Sequence, residues 1–142
     1  MSTPELPRRV PEAAIVGKKA AFSRTFTEAD VALFVGVTWD VNPYHTSDRY
    51  VRSTRFQRRI VPGLLTGSML THVGGLWAFL ATGMSFEFIA PVHIGETITA
   101  EVEVVEADAS RNWARLRCSC TNEAGVEVLR AEVVGYPGRF KE

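Results

Sequence analysis

Ile60-Val61-Pro62-Gly63-Leu64-Leu65-Thr66-Gly67-Ser68-Met69-Leu70-Thr71-His72-Val73-Gly74-Gly75-Leu76-Trp77-Ala78-Phe79-Leu80-Ala81 is the stretch around which the rest of the chain can be laid out. Pro62 suits a helix start, where its missing N–H costs nothing. From Leu64 to Ala81 the apolar residues Leu64, Leu65, Met69, Leu70, Val73, Leu76, Trp77 and Leu80 spread around most of a helical cylinder. A helix apolar on nearly all faces is buried. Gly63, Gly67, Gly74 and Gly75 would each weaken it by about 1 kcal/mol relative to alanine, which makes sense if a sheet or a partner backbone must approach closely. The expectation is one buried central helix.

Strands follow it. Ser85 to Ala90, Glu96 to Glu106, Asn112 to Asn122 and Val126 to Tyr136 have strand composition or period-2 alternation. The alternation is clearest in Thr97 to Val105, with Ile98, Ala100, Val102 and Val104 on one face. Glu123-Ala124-Gly125 and Ala107 to Arg111 read as hairpin turns. A long helix and then antiparallel strands predict an α+β domain whose sheet curls around the helix.

Upstream, Lys19 to Phe26 alternates loosely and predicts a short strand. Thr27-Glu28-Ala29-Asp30 is a helix start, with Thr27 as N-cap and two carboxylates in the first turn. Val31, Phe34 and Val35 continue it to about Val37. The helix delivers the chain into Thr38-Trp39-Asp40-Val41-Asn42-Pro43-Tyr44-His45. Pro43 excludes the helical region for Asn42, so this is read as a turn. Alone, it is either a turn in which Asp40 caps a helix and His45 lies on the surface, or an acid and a base five positions apart sharing one water. Thr46 to Arg55 reads as a short helix or irregular segment, with Tyr50 and Val51 as its apolar anchors. Residues 1–18, punctuated by Pro4, Pro7 and Pro11, read as an extended N-terminal arm. Residues 19–142 form the domain.

Sixteen basic and sixteen acidic residues cancel, so the chain has no overall electrostatic footprint for nucleic acid or an anionic membrane. Arg49, Arg52, Arg55, Arg58 and Arg59 form a local basic group, either a solvated face or a phosphate contact. Hydrophobic content of 46% and charged content of 23% are globular values. Cys118 and Cys120 would be same-face strand neighbours about 7 Å apart, beyond easy disulfide reach. Together with the lack of a signal-like N-terminus and of any membrane-length apolar run, they lead us to expect a cytoplasmic protein. No His/Cys cluster has ligand spacing, so no metal is expected. His72 and His93 read as structural residues, and Trp77 and Phe79 as core.

Three stretches together resemble the MaoC-like, (R)-specific enoyl-CoA hydratase family of hotdog-fold proteins. Phe34 to His45 is similar to the family's Asp-x-Asn-Pro-x-His motif. Ile60 to Leu65 resembles the start of its central helix. Phe88-Ile89-Ala90-Pro91-Val92-His93-Ile94-Gly95-Glu96-Thr97 resembles its entry into the long strands. The resemblance covers roughly residues 20–136.

It implies a single hotdog domain forming a homodimer, an acyl-CoA thioester substrate, no nucleic-acid or membrane partner, and no cofactor beyond the coenzyme A of the substrate. It also implies water addition to a trans-2-enoyl-CoA, or the reverse, with Asp40 and His45 as the catalytic pair. Which of the two takes the proton and which returns it is open. Gly63 would supply a backbone donor to the thioester oxygen, with Asn42 and Ser68 in support. Trp39 stands where the family usually has glycine, Tyr44 where it has a small aliphatic residue, and Pro62 where it commonly has histidine. These three would line the substrate site, with Arg55 and Arg58 toward the coenzyme A phosphates. A hotdog thioesterase and a non-catalytic acyl-CoA-binding subunit are the competing readings.

Overall fold

The computed structural model describes residues 10–138. Five antiparallel strands, β1 (Lys19–Thr25), β2 (Leu80–Phe88), β3 (Thr97–Asp108), β4 (Trp113–Thr121) and β5 (Glu127–Tyr136), form one sheet in the order β1-β3-β4-β5-β2. Two long hairpins supply its middle. Gly125, at φ 77°, turns the β4–β5 hairpin, and the Asn122 side chain accepts from the N–H groups of Ala124 and Val126. The period-2 reading holds closely. Ile98, Ala100, Val102 and Val104 of β3 and Ala114, Leu116, Cys118 and Cys120 of β4 all point into the core. Burial pushes the Cys118 and Cys120 thiols up to about 12 and about 11, so both are inert core residues.

Among the described residues five α-helices accompany the sheet: α1 (Glu28–Thr38), α2 (Pro43–Thr46), α3 (Asp48–Val51), α4 (Gly63–Gly67) and α5 (Met69–Leu76). The helix expected over Leu64–Ala81 is shorter. It tightens at Ser68, between α4 and α5, and stops at Leu76, where Ala78 turns left-handed at φ 51° and the Phe79 N–H caps the Gly74 carbonyl at 2.8 Å. Leu80 opens strand β2, so this strand begins five residues before Ser85. The long apolar run belonged half to a helix and half to a strand, a distinction that composition alone cannot make.

The sheet covers one side of the helix, not all of it. Met69, Leu70 and Val73 are buried against the strands, whereas Leu64 is 58% and Leu76 71% exposed. Leu80, Met84 and Phe88 on the edge strand β2 are exposed as well. The glycines divide likewise. A Cβ on Gly63 or Gly67 would stand 2.6 Å or 2.9 Å from the Phe88 and Phe86 rings, but Gly74 and Gly75 face open space. Close approach therefore explains the first two only.

Two further expectations are corrected. Residues 10–18 are not a separate arm: a single 3₁₀ turn at Glu12–Ala14 buries Ala13, and the Gly17 N–H donates to the Val104 carbonyl at 2.8 Å. Residues 1–9 lie outside the described residues. The Asn-Pro turn is also the start of a helix. Asn42 is non-helical at φ −54°, ψ 124°, as Pro43 requires, but Pro43 itself opens the one-turn α2.

Helix α1 is closed at its N-terminus by a capping box. The Thr27 N–H donates to Asp30 Oδ2 at 2.9 Å, and the Asp30 N–H donates to Thr27 Oγ1 at 3.2 Å. The Thr27 amide, with help from Arg24, holds the Asp30 carboxyl below its ordinary range. A depressed folded-state pKa stabilises the fold above the ordinary carboxylate pKa, and that contribution fades as pH falls through the lowered value. Asp30→Asn is expected to flatten the acid limb of the stability curve, read by urea unfolding from neutral pH downward. A paired test concerns the glycines. Gly36→Ala, in open space on α1, should stabilise by roughly 1 kcal/mol. Gly67→Ala should destabilise by roughly 1–3 kcal/mol, because the Phe86 ring must move.

Candidate active site

Asp40 and His45 are brought together by a relay of short-range hydrogen bonds. The Thr38 hydroxyl donates to the Phe34 carbonyl at 2.7 Å and accepts from the Asp40 N–H at 3.2 Å, which ends α1. Trp39 takes the left-handed conformation at φ 60° and reverses the chain. Asp40 Oδ1 then accepts from the Asn42 N–H at 3.2 Å, and Asn42 Oδ1 accepts from the Tyr44 N–H at 3.1 Å, capping α2. His45 is thereby set on the first turn of α2 and is buried. Asn42 thus holds the turn by capping α2.

The imidazole is fixed from its far side. His45 Nδ1 lies 2.7 Å from the Ile60 carbonyl oxygen. A carbonyl can only accept, so Nδ1 carries the proton, and in the neutral ring Nε2 presents a lone pair. That nitrogen faces Asp40 Oδ2 at 3.7 Å. The separation is too long for a direct hydrogen bond, so both atoms keep acceptor capacity for a shared donor. The Asp40 side chain is 40% exposed, and that of His45 only 11%.

Both residues line a cavity of about 440 Å³ whose walls are mostly apolar, including Phe34, Phe56, Ile60, Phe88 and Val92. A few polar groups, Asp40, His45, Arg55 and Thr66, stand among apolar walls, the usual constitution of a small-molecule site. Gly63 lines it too and is the first residue of α4, so its N–H has no acceptor within the helix. The five-residue α4 follows Pro62, which is fully buried and also lines the cavity. Arg55 sits at the wall with its guanidinium over the Phe56 ring, 4.8 Å from the centroid.

The other expected site residues lie elsewhere. Trp39 is 83% exposed and does not line the cavity. Tyr44 packs edge-on against Tyr50 and Phe56, one layer behind the wall. The Ser68 hydroxyl donates to the Leu65 carbonyl at 2.5 Å and tightens the helix, which is a structural use. Arg58 lines a separate hollow together with Glu28 and Asp48. His72 stacks on Phe22, with ring centroids 4.0 Å apart. His93 Nδ1 is buried without a partner among the described residues, and His93 is not among the cavity's lining residues. Among those residues no group of three or more His, Cys, Asp or Glu could hold a metal ion.

Sequence reasoning missed Phe34 and Phe56 as walls, Thr66 as a buried polar lining residue, and above all the Ile60 carbonyl. A backbone oxygen leaves no mark in residue identity. Phe88 was quoted only as part of a strand-entry motif.

An antiparallel sheet laid across a helix is the hotdog arrangement, and here an Asp/His pair lines a cavity beside the start of α4. The sequence profile of the MaoC like domain matches residues 12–125, and the chain belongs to that family of hydratases and dehydratases. It is 32% identical over 127 residues to an (R)-specific enoyl-CoA hydratase of Rhodospirillum rubrum, covering 87% of this chain and 88% of that one. It is 33% identical over 118 residues to a 3-hydroxybutyryl-CoA dehydratase of Methylorubrum extorquens, covering 80% and 74%. The solved structure of the (R)-hydratase from Aeromonas caviae superposes with a TM-score of 0.83 at 31% identity, covering 87% of this chain and 97% of that one.

The contact between Gly63 and Phe88 can be tested directly. Gly63→Ala places a Cβ 2.6 Å from the ring and should cost roughly 1–3 kcal/mol in urea unfolding. Adding Phe88→Leu should recover most of that loss.

Proposed function

We propose that the protein adds water to a trans-2-enoyl-CoA to give the (R)-3-hydroxyacyl-CoA, or runs the reverse dehydration. The observation that carries this is the bare Nε2 of His45, facing Asp40 Oδ2 at 3.7 Å on the wall of an apolar cavity. A water between the two atoms would donate one O–H to each.

The proton goes to His45. Nε2 takes it as the water oxygen bonds to the β-carbon, and the C=C pair moves toward the α-carbon and the thioester oxygen. Asp40 holds the second O–H and steadies the imidazolium electrostatically. The imidazolium then returns its proton to the α-carbon, so one molecule of water is added and the site is restored. The enolate-like oxygen needs a donor, for which the free N–H of Gly63 is the candidate. Nothing in these steps calls for a metal or a cofactor beyond the substrate's own coenzyme A. Arg55, at the cavity wall, is the candidate for contact with coenzyme A phosphate, whereas Arg58 faces carboxylates in another hollow.

The active unit we propose is a homodimer. Leu64, Leu76, Leu80, Met84 and Phe88 leave an apolar strip along α4, α5 and the edge strand β2, and a second copy would cover it. No helix among the described residues is long and apolar enough to cross a membrane.

Turnover of crotonyl-CoA, followed as loss of enoyl absorbance, tests the activity. Asp40→Asn and His45→Gln should each lower kcat by about 10²–10⁴-fold. The double variant should fall little further, because the two residues act as a unit. Wild-type rates in Asp40→Asn would sink the mechanism. Release of free thiol in step with loss of the acyl-CoA would point to a thioesterase instead.

A further inference from the structure

Arg59 makes contacts that a solvated or phosphate-binding arginine would not need. Its side chain is only 15% exposed. Nε donates to Asp48 Oδ1, on the first residue of α3, at 2.8 Å. Nη2 pairs with Glu28, the first residue of α1, and Nη1 donates to the main-chain carbonyl of His45 at 3.4 Å. The next residue, Ile60, supplies the carbonyl that holds His45 Nδ1. The whole segment from Glu28 to Arg59, which contains the Asp40–His45 turn, is closed at its base by this one guanidinium. The two carboxylates, Asp48 foremost, in turn raise the guanidinium's already high pKa. Without a cation between them they would meet as like charges.

We propose that Arg59 is a positioning residue for His45, locking the main chain beneath the imidazole to the segment that carries its hydrogen-bond acceptor. Its catalytic consequence rests on the hydration reading above. Three diverging contacts need a planar fork of donors, which lysine does not have. Arg59 does not line the cavity, so its loss should act on the geometry of the reacting groups and not on substrate affinity. Displacement of a catalytic group by about 1 Å can cost on the order of 10²-fold in rate.

The test uses the full-length protein with Arg59→Met and Arg59→Lys, read by crotonyl-CoA kinetics and by the ¹⁵N–¹H spectrum of the imidazoles, assigned with His45→Gln. In the wild type, His45 should show a single neutral tautomer with its proton on Nδ1. Arg59→Met should mix the tautomers and lower kcat by about 30-fold, with KM held within about twofold. Arg59→Lys should regain less than half of the lost rate.

An unchanged kcat and imidazole spectrum, even with a lower Tm, would overturn the proposal, and so would a rise in KM alone or full rescue by lysine. If Arg59→Met does not fold, Asp48→Ala removes one anchor from an exposed position, and about a three- to tenfold loss of kcat is expected; no change there also overturns it. A wild type without turnover, but whose His45 tautomer still depends on Arg59, would remove the hydration reading and leave the positioning role standing.

Discussion

The hydrogen bond from His45 Nδ1 to the Ile60 carbonyl fixes the imidazole on which the candidate site is built. At 2.7 Å it decides which ring nitrogen carries the proton, and so which one faces Asp40. Its acceptor is itself held on two sides. The Ile60 N–H donates to the Tyr44 carbonyl at 3.1 Å, and the Val61 N–H donates to the Val92 carbonyl at 2.7 Å. Ile60 also bridges His93 in antiparallel fashion. The strand-entry segment around Val92, the approach to α4 and the one-turn α2 therefore meet at the imidazole. A backbone carbonyl that accepts from one ring nitrogen sets which nitrogen carries the proton and how the ring is oriented.

The same segments account for the cavity. α4 can lie against the sheet only because Gly63 and Gly67 offer no Cβ to the Phe88 and Phe86 rings, which stack on each other with centroids 6.1 Å apart. The helix start is thereby held at the cavity wall, with its first amide unused by the helix. On the opposite side, Leu64, Leu76 and the outer residues of β2 remain apolar and uncovered in the single chain. Burial is thus one-sided around a helix whose composition is apolar on all sides.

Much of the fold was legible beforehand, and for definable reasons. β3 and β4 alternate strictly because one face packs on the core and the other does not, and a period of two survives in the residue order. Thr27 and Asp30 mark the start of α1 because a capping box needs those side chains at that spacing. Asp40, Asn42, Pro43 and His45 were legible because the turn is built from their own side chains. The end of α5 was not, since Ala78 adopts a left-handed cap without the glycine that usually marks one. Trp39 was expected at the substrate, but its left-handed backbone directs a bulky side chain into the open instead.

The residue order alone thus determined the α+β architecture, the antiparallel strands and the Asn-Pro turn that carries Asp40 and His45, all of which depend on local periodicity and short-range side-chain bonds. Only the tertiary structure determined the Nε2-facing geometry, the phenylalanine walls and the clamp made by Arg59. Each of these rests on atoms far apart in sequence: a backbone carbonyl fifteen residues from the histidine it orients, and a guanidinium thirty-one residues from a carboxylate it holds. Main-chain acceptors and long-range ion pairs carry no signature in residue identity, so they exist for the reader only once the chain has closed on itself.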